Sequence, residues 1–269
     1  MKDAMYKDEN LPRGLMVGCG KMGGAMLSRW IEAGTARFAV VDPGGPPPFP
    51  VRHEAGIEAL SDERFDLVVA AIKPQMLDDV LPAYAPLMAE GAFALSIAAG
   101  VPAARVSGAL GGRPVVRVMP NLPAAVGRGV TALFAGEGVT DAHRTLATAL
   151  IEATGQAVWL DEEDRIDRFT AVAGSGPGYV FEILRVFEEA AIEIGFDPET
   201  ARDLVVGTVA GTTEMASRDR RPLADLRNDV TSPNGTTQAG LDALRAGGTM
   251  ARLLREAVQA AYDRAVELR

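Results

Sequence analysis

Gly14-Leu15-Met16-Val17-Gly18-Cys19-Gly20-Lys21-Met22-Gly23 is the stretch that decides the fold. A short apolar strand runs straight into closely spaced glycines, and a helical pattern follows with Met26, Leu27, Trp30 and Ile31 on one face. In a strand–turn–helix of this spacing the first glycine makes the tight turn and the second lets a pyrophosphate approach the backbone. The third lets the helix pack on the strand. Phe38-Ala39-Val40-Val41-Asp42 comes next, a second strand ending in an acid near the position expected about 20 residues beyond the glycines. The pattern predicts a dinucleotide-binding βαβ unit, with Gly18, Cys19, Gly20, Lys21, Met22 and Gly23 around the phosphates.

Asp42 reads two ways. A carboxylate there hydrogen-bonds a ribose 2′-hydroxyl and repels a 2′-phosphate, which favours NADH over NADPH. The Gly/Pro stretch 43–50 could instead carry it away, and Arg52 and His53 behind that stretch could serve a 2′-phosphate or simply line a solvated loop. On these residues the cofactor is NADPH or NADH.

Two further apolar runs read as parallel central strands: 67–72, leading into Lys73-Pro74-Gln75, and 93–97, leading into Ala98-Ala99-Gly100. Ligands of open α/β sheets lie outside the carboxyl ends of the strands, where Lys73 is a candidate cofactor contact and Ala98 and Ala99 leave room for a flat ring. Val115-Val116-Arg117-Val118 exits into Met119-Pro120-Asn121-Leu122-Pro123. Asn121, held between prolines, either hydrogen-bonds a nicotinamide or substrate amide or closes an Asx-turn on its own loop. A strand at 130–134, an amphipathic segment at 141–152 and Val158-Trp159-Leu160 complete the α/β pattern.

From Asp161 the character changes. Asp161-Glu162-Glu163-Asp164 is read as a solvated acidic cap of a helix and not as a metal site. Beyond it come helical segments at 165–172, 179–194, 198–217, 236–246 and 250–268. Ala173-Gly174-Ser175-Gly176-Pro177-Gly178-Tyr179 interrupts them as a hinge or a place of close helix–helix approach. The reading is thus a Rossmann-type α/β domain over 1–162 followed by an all-α domain over 163–269. So few aromatics in the helical half favour burial against a symmetry mate.

With 269 residues and 48% hydrophobic content there is enough chain for a real core, while a net charge of −9 argues against a nucleic-acid partner. No apolar run reaches the roughly 20 residues that span a bilayer. Residues 1–13 carry charges of both signs and no apolar leader, and a single cysteine forms no internal disulfide. The expectation is a soluble, cytoplasmic chain with no membrane or metal partner.

In Asp229-Val230-Thr231-Ser232-Pro233-Asn234-Gly235-Thr236-Thr237, a Pro-Asn-Gly turn is flanked by hydroxyl residues and precedes a helical pattern. Asn-Gly tolerates positive φ and proline denies its predecessor a helical conformation, so the turn reads as a helix N-terminus. Unpaired amides of Gly235, Thr236 and Thr237 would suit a small anion such as a carboxylate.

Taken in order, Gly18–Gly23, Ala71-Ile72-Lys73-Pro74, Ser96 to Gly100, Met119-Pro120-Asn121, Gly174-Ser175-Gly176-Pro177 and the 231–244 signature make the chain resemble the pyrroline-5-carboxylate reductases. The resemblance runs from Leu15 to about Ala260. It implies a Rossmann domain and a helical dimerisation domain, assembled as a homodimer or a larger homo-oligomer such as a decamer. It also implies NAD(P)H-dependent reduction of 1-pyrroline-5-carboxylate to L-proline, the last step of proline biosynthesis. Carried onto matching positions, Ala71, Lys73, Pro74, Ala99 and the fingerprint glycines touch the cofactor. Val230, Ser232, Gly235, Thr236 and Thr237 hold the substrate, in a loop that faces the nicotinamide of a partner subunit. Thr237, as catalytic residue, hydrogen-bonds the imine nitrogen. Ala173, Gly178 and Asn234 depart from the usual family residues, as does the Pro-rich stretch after Asp42.

Three competing readings are an imine reductase for a related ring such as piperideine carboxylate, a non-catalytic nucleotide-sensing regulator, and a β-hydroxyacid dehydrogenase. The last needs an interdomain catalytic lysine, and 165–194 holds none.

Overall fold

The structure, a computed structural model, describes residues 10–268. For residues 1–9, the reading of 1–13 as lacking an apolar leader lies outside the described residues.

Among the described residues there are eight strands: β1 Arg13–Val17, β2 Arg37–Val41, β3 Arg52–Glu54, β4 Phe65–Ala70, β5 Met88–Ser96, β6 Val115–Met119, β7 Gly129–Ala135 and β8 Gly155–Leu160. They form one sheet in the order β3-β2-β1-β4-β5-β6-β7-β8. The first six run parallel; β7 meets β6 antiparallel, and β8 follows β7 in parallel. The chain winds outward from β1 in one direction and from β4 in the other. The β1–β4 boundary is therefore the switch point at which such sheets bind ligands.

Side chains alternate across each strand, and both faces are covered, which is why the strands read as unbroken apolar runs. Leu15, Val17, Val68 and Ala70 enter one cluster with Leu77 of α2 (Leu77–Val80) and Val106 of α3 (Ala103–Ala109). Met16, Val40, Leu67 and Val69 enter the other. There they meet Met26, Leu27 and Trp30 of α1 (Lys21–Ala33), with Leu150 and Ile151 of α4 (Asp141–Glu152). Each Val, Leu, Ile or Met among them stabilises the unit by about 1.5–3 kcal/mol through its burial. Trp30 also stacks on Phe38, ring centroids 5.4 Å apart.

Two sequence expectations need correction here. Arg52 and His53 do not sit in a loop; they form β3, whose register on β2 is Ala39 to Arg52 and Val40 to His53. The acid run at 161–164 is more than a solvated cap. Glu163 accepts from the Ala103 amide at 2.7 Å and pairs at 2.9 Å with Arg117, a guanidinium buried inside β6. That carboxylate gives a buried cation its counter-charge and caps α3, whereas Asp161 and Glu162 pair with exposed Arg165.

Helix α5 (Arg165–Phe169) continues into a wide turn over Thr170–Gly174, closed by a bond from the Ser175 amide to the Thr170 carbonyl. Gly174 approaches the end of β6: a Cβ there would lie 3.2 Å from the Met119 methyl. The close approach expected of this glycine stretch is thus to a strand end. Helices α6 (Gly176–Glu193), α7 (Pro198–Arg218), α8 (Leu223–Asp229), α9 (Thr236–Arg245) and α10 (Thr249–Glu267) follow. Short, charged α8 was not expected from the sequence.

By contacts the chain divides into two compact units. One comprises Met1–Ser175 with Ala261–Arg269, and the other is Gly176–Ala260. The change of composition at 162 and this division at Ser175 are separated by α5 and its wide turn, and α5 packs on β7.

The second unit buries little of its own. Ala191, Ala201 and Val205 form its only described buried cluster, while Phe181 on α6 is 60% exposed and Ile183, Val186 and Phe187 are also exposed. A helix pair so apolar on its surface calls for a covering partner.

Candidate functional site

At the β1–α1 turn the glycines are required by contact and conformation. Gly18 has φ +80°, and a Cβ on it would lie 2.8 Å from the Ala71 carbonyl oxygen. Its amide donates to Val41 at 2.9 Å, and the Ala71 amide donates to Val17 at 2.9 Å, so the turn is stitched to both neighbouring strands. Gly23 packs on the same residue: a Cβ there would lie 3.1 Å from the Ala71 methyl. Gly20 is different, because nothing lies within 4 Å of its virtual Cβ. It caps α1 without a side-chain bond, and the first turn holds no acid. Open space over a bare helix N-terminus fits the pyrophosphate of a dinucleotide. Lys21 is exposed there, and Met22 turns its side chain to the core. Cys19 is half-buried; burial first, then the nearby Asp42 carboxylate, push its thiol above the ordinary range.

Asp42 stands at the end of β2 and stays beside the glycine loop. Its Oδ2 accepts from the Cys19 amide at 2.5 Å and its Oδ1 from the Gly44 amide at 2.7 Å. The 43–50 stretch does not carry it away. Arg52 points to Glu54 and Glu63, at 3.1 and 2.7 Å, and His53 Nε2 lies 2.8 Å from the Asp42 carbonyl oxygen.

Ala71, Lys73 and Pro74 follow β4, Ala98 and Ala99 follow β5, and Asn121 follows β6, all at the carboxyl edge of the parallel strands. Lys73 and Ala99 are exposed and Ala98 is buried. The Asn121 side chain braces protein: Nδ2 donates to the Ala173 carbonyl at 3.0 Å, and Oδ1 accepts from the Val130 amide at 2.9 Å. Of its two expected roles, holding its loop is the one these bonds display, although the partners are distant in sequence.

In the helical unit, Ser232-Pro233-Asn234-Gly235 forms a turn closed by the Gly235 amide donating to the Ser232 carbonyl at 3.0 Å. Gly235 is therefore not one of the unpaired donors expected from the sequence. Asn234 has φ 59°, the one positive φ of a non-glycine among the described residues, a conformation that asparagine tolerates. The Ser232 hydroxyl crowds the space a side chain at Gly235 would need. Helix α9 begins with no side-chain cap and no acid in its first turn, leaving the first-turn amides of Thr236 and Thr237 to face outward. Val230, Ser232, Thr236 and Thr237 are all exposed. Thr231 is tied back to α8 by its hydroxyl, at 2.7 Å from the Arg227 carbonyl oxygen. Among the described residues no group of three His, Cys, Asp or Glu could hold a metal ion.

Comparison with known proteins places this geometry. The family model for pyrroline-5-carboxylate reductase dimerisation matches residues 163–268. A pyrroline-5-carboxylate reductase of Pseudomonas aeruginosa is 38% identical over 267 residues, covering 96% of this chain and 97% of its own. The solved pyrroline-5-carboxylate reductase of Coxiella burnetii superposes with a TM-score of 0.86 at 31% identity, over 96% of this chain and 99% of that one. That of Plasmodium falciparum, solved with NADP bound, gives 0.83 at 25% identity, over 97% and 98%. A dinucleotide turn at the head of α1, an uncapped threonine turn at the head of α9 and full-length kinship lead to one assignment: the chain belongs to the pyrroline-5-carboxylate reductase family.

Proposed function

We propose that this chain is an NAD(P)H-dependent oxidoreductase that reduces 1-pyrroline-5-carboxylate to L-proline, the last step of proline biosynthesis. Full-length similarity to reductases of that name carries the reading. A reduced nicotinamide held at the carboxyl edge of the sheet would supply the hydride that the imine carbon accepts. Residues 1–162 form the dinucleotide-binding domain, with Gly18 to Gly23, Asp42, Ala71, Lys73, Pro74, Ala98 and Ala99 around the cofactor; Asn121 holds the loop beside them. Residues 163–269 form the dimerisation and substrate domain. The chain works as a homodimer or a higher assembly of dimers, a decamer being one form. We place it in the cytoplasm; among the described residues no helix is long and apolar enough to cross a membrane.

In the helical unit, Val230, Ser232, Gly235, Thr236 and Thr237 hold the substrate. The amides of Thr236 and Thr237 receive its carboxylate at the positive end of α9, and Gly235 contributes by keeping the turn tight under Ser232. The Thr237 hydroxyl hydrogen-bonds the ring nitrogen. A threonine is far too weak an acid to protonate an imine unaided, so its hydroxyl oxygen accepts the N–H of an iminium already protonated from solvent and orients the ring for hydride transfer. Thr237→Ala lowers turnover by about 10²-fold, the low end for a lost oriented hydrogen-bond partner. The test follows nicotinamide absorbance with pyrroline-5-carboxylate. Oxidation by wild type is expected; none with either NADH or NADPH would overturn the activity, and a fully active Thr237→Ala would remove that residue from the mechanism.

A further inference from the structure

We infer that Asp42 makes this chain select NADH over NADPH, an inference that rests on the cofactor site proposed above. NADH and NADPH differ only by the 2′-phosphate on the adenosine ribose. The end of β2 is where that ribose lies in a dinucleotide-binding βαβ unit. What decides the preference is therefore the charge that β2 and its neighbours present there.

The carboxylate is fixed in place. Two backbone amides hold it, Cys19 from the glycine loop at 2.5 Å and Gly44 from the turn beyond β2 at 2.7 Å. Each oxygen thus has one donor and keeps a lone pair for a ribose hydroxyl. The 43–50 stretch folds back through the Gly45 amide, which donates to the Asp42 carbonyl, so the acid stays at the mouth of the loop.

Among the described residues, the basic side chains of β3, next to the end of β2, are committed elsewhere. Arg52, on β3 beside β2, is shared between Glu54 and Glu63, and Glu63 also pairs with Arg13. Two guanidiniums face two carboxylates, and the group is neutral as a whole. His53 Nε2 is engaged with the Asp42 carbonyl oxygen. Lys21 opens α1 at the pyrophosphate, which both dinucleotides carry, so it does not discriminate. A 2′-phosphate would meet a fixed anion, with Arg52 and His53, the basic side chains beside it on β3, already engaged. A 2′-hydroxyl would meet an acceptor.

The test titrates each dinucleotide into the purified full chain without imine, following nicotinamide fluorescence. Wild type is expected to bind NADH at least about tenfold more tightly than NADPH, the scale of a like-charge clash. Asp42→Ser is expected to narrow or reverse that ratio by about tenfold, with NADPH gaining and NADH losing. Asp42→Asn, which keeps the side-chain shape, should move it in the same direction and serves if the serine variant does not fold. Equal or tighter binding of NADPH by wild type would overturn the inference, as would an unchanged ratio in the variants. A clear NADH preference with no turnover of pyrroline-5-carboxylate would sustain it and sink the proposed activity instead. Binding of neither dinucleotide would end both.

Discussion

The two helix heads proposed to hold ligands are built by opposite means. At α1 the open N-terminus stands on a helix whose Met26, Leu27 and Trp30 are fully buried, and the loop is pinned by Ala71 and by two strands. At α9 no residue of the helix is buried, and the turn is held by its own local bonds and by Asn234 in a left-handed conformation. The first site inherits its shape from a core the chain provides for itself. The second inherits only a turn, and its surroundings depend on what covers the helical unit. Sites of equal chemistry can therefore fail for different reasons, one by unfolding and the other by dissociation.

That contrast can be broken at several points. Trp30→Ala should cost about 3–5 kcal/mol, as large-to-small changes in a packed core do, and lower the thermal midpoint along with dinucleotide binding. A variant of wild-type stability would mean that α1 does not depend on its sheet contact. Gly18→Ala places a methyl at positive φ against the Ala71 carbonyl; strain of about 1–3 kcal/mol is expected, with loss of dinucleotide affinity measured by titration. Phe181→Asp acts on the other side of the comparison. It should shift the chain toward monomer in sedimentation and make activity depend on protein concentration, while dinucleotide affinity holds. An unchanged assembly would show that α6 is not the covered face. The mildest change is Asn234→Gly: the turn already has the conformation glycine accepts, so stability should move by less than about 1 kcal/mol and turnover little. A large loss of turnover with stability intact would instead give the Asn234 side chain a place in substrate recognition.

Much of the fold was legible because a doubly covered parallel strand has no polar face to hide. The runs at β1, β2, β4, β5 and β6 could be read directly, and α4 begins and ends where its amphipathic pattern does. Helix α8 and strand β3 were not legible: seven charged-rich residues and three polar ones carry no periodicity, β3 exists through its pairing with β2, and α8 buries none of its residues. Arg117 inside an apolar run was the visible sign of a buried pair, but nothing in the sequence named Glu163 as its partner. At the sites, turn chemistry was local and readable, as at Pro233-Asn234-Gly235. Where side chains are already committed was not. Asn121 reaches Ala173 across 52 positions, and Arg52 reaches Glu63 across a loop.

Ala71 has a consequence for how the chain can vary. It touches Gly18 through its carbonyl and Gly23 through its methyl, although about 50 positions separate them. For protein engineering, 18, 23 and 71 behave as one joint variable. A bulkier residue at 71 is felt as damage to the nucleotide turn, and exchanging that turn for another works only if residue 71 travels with it.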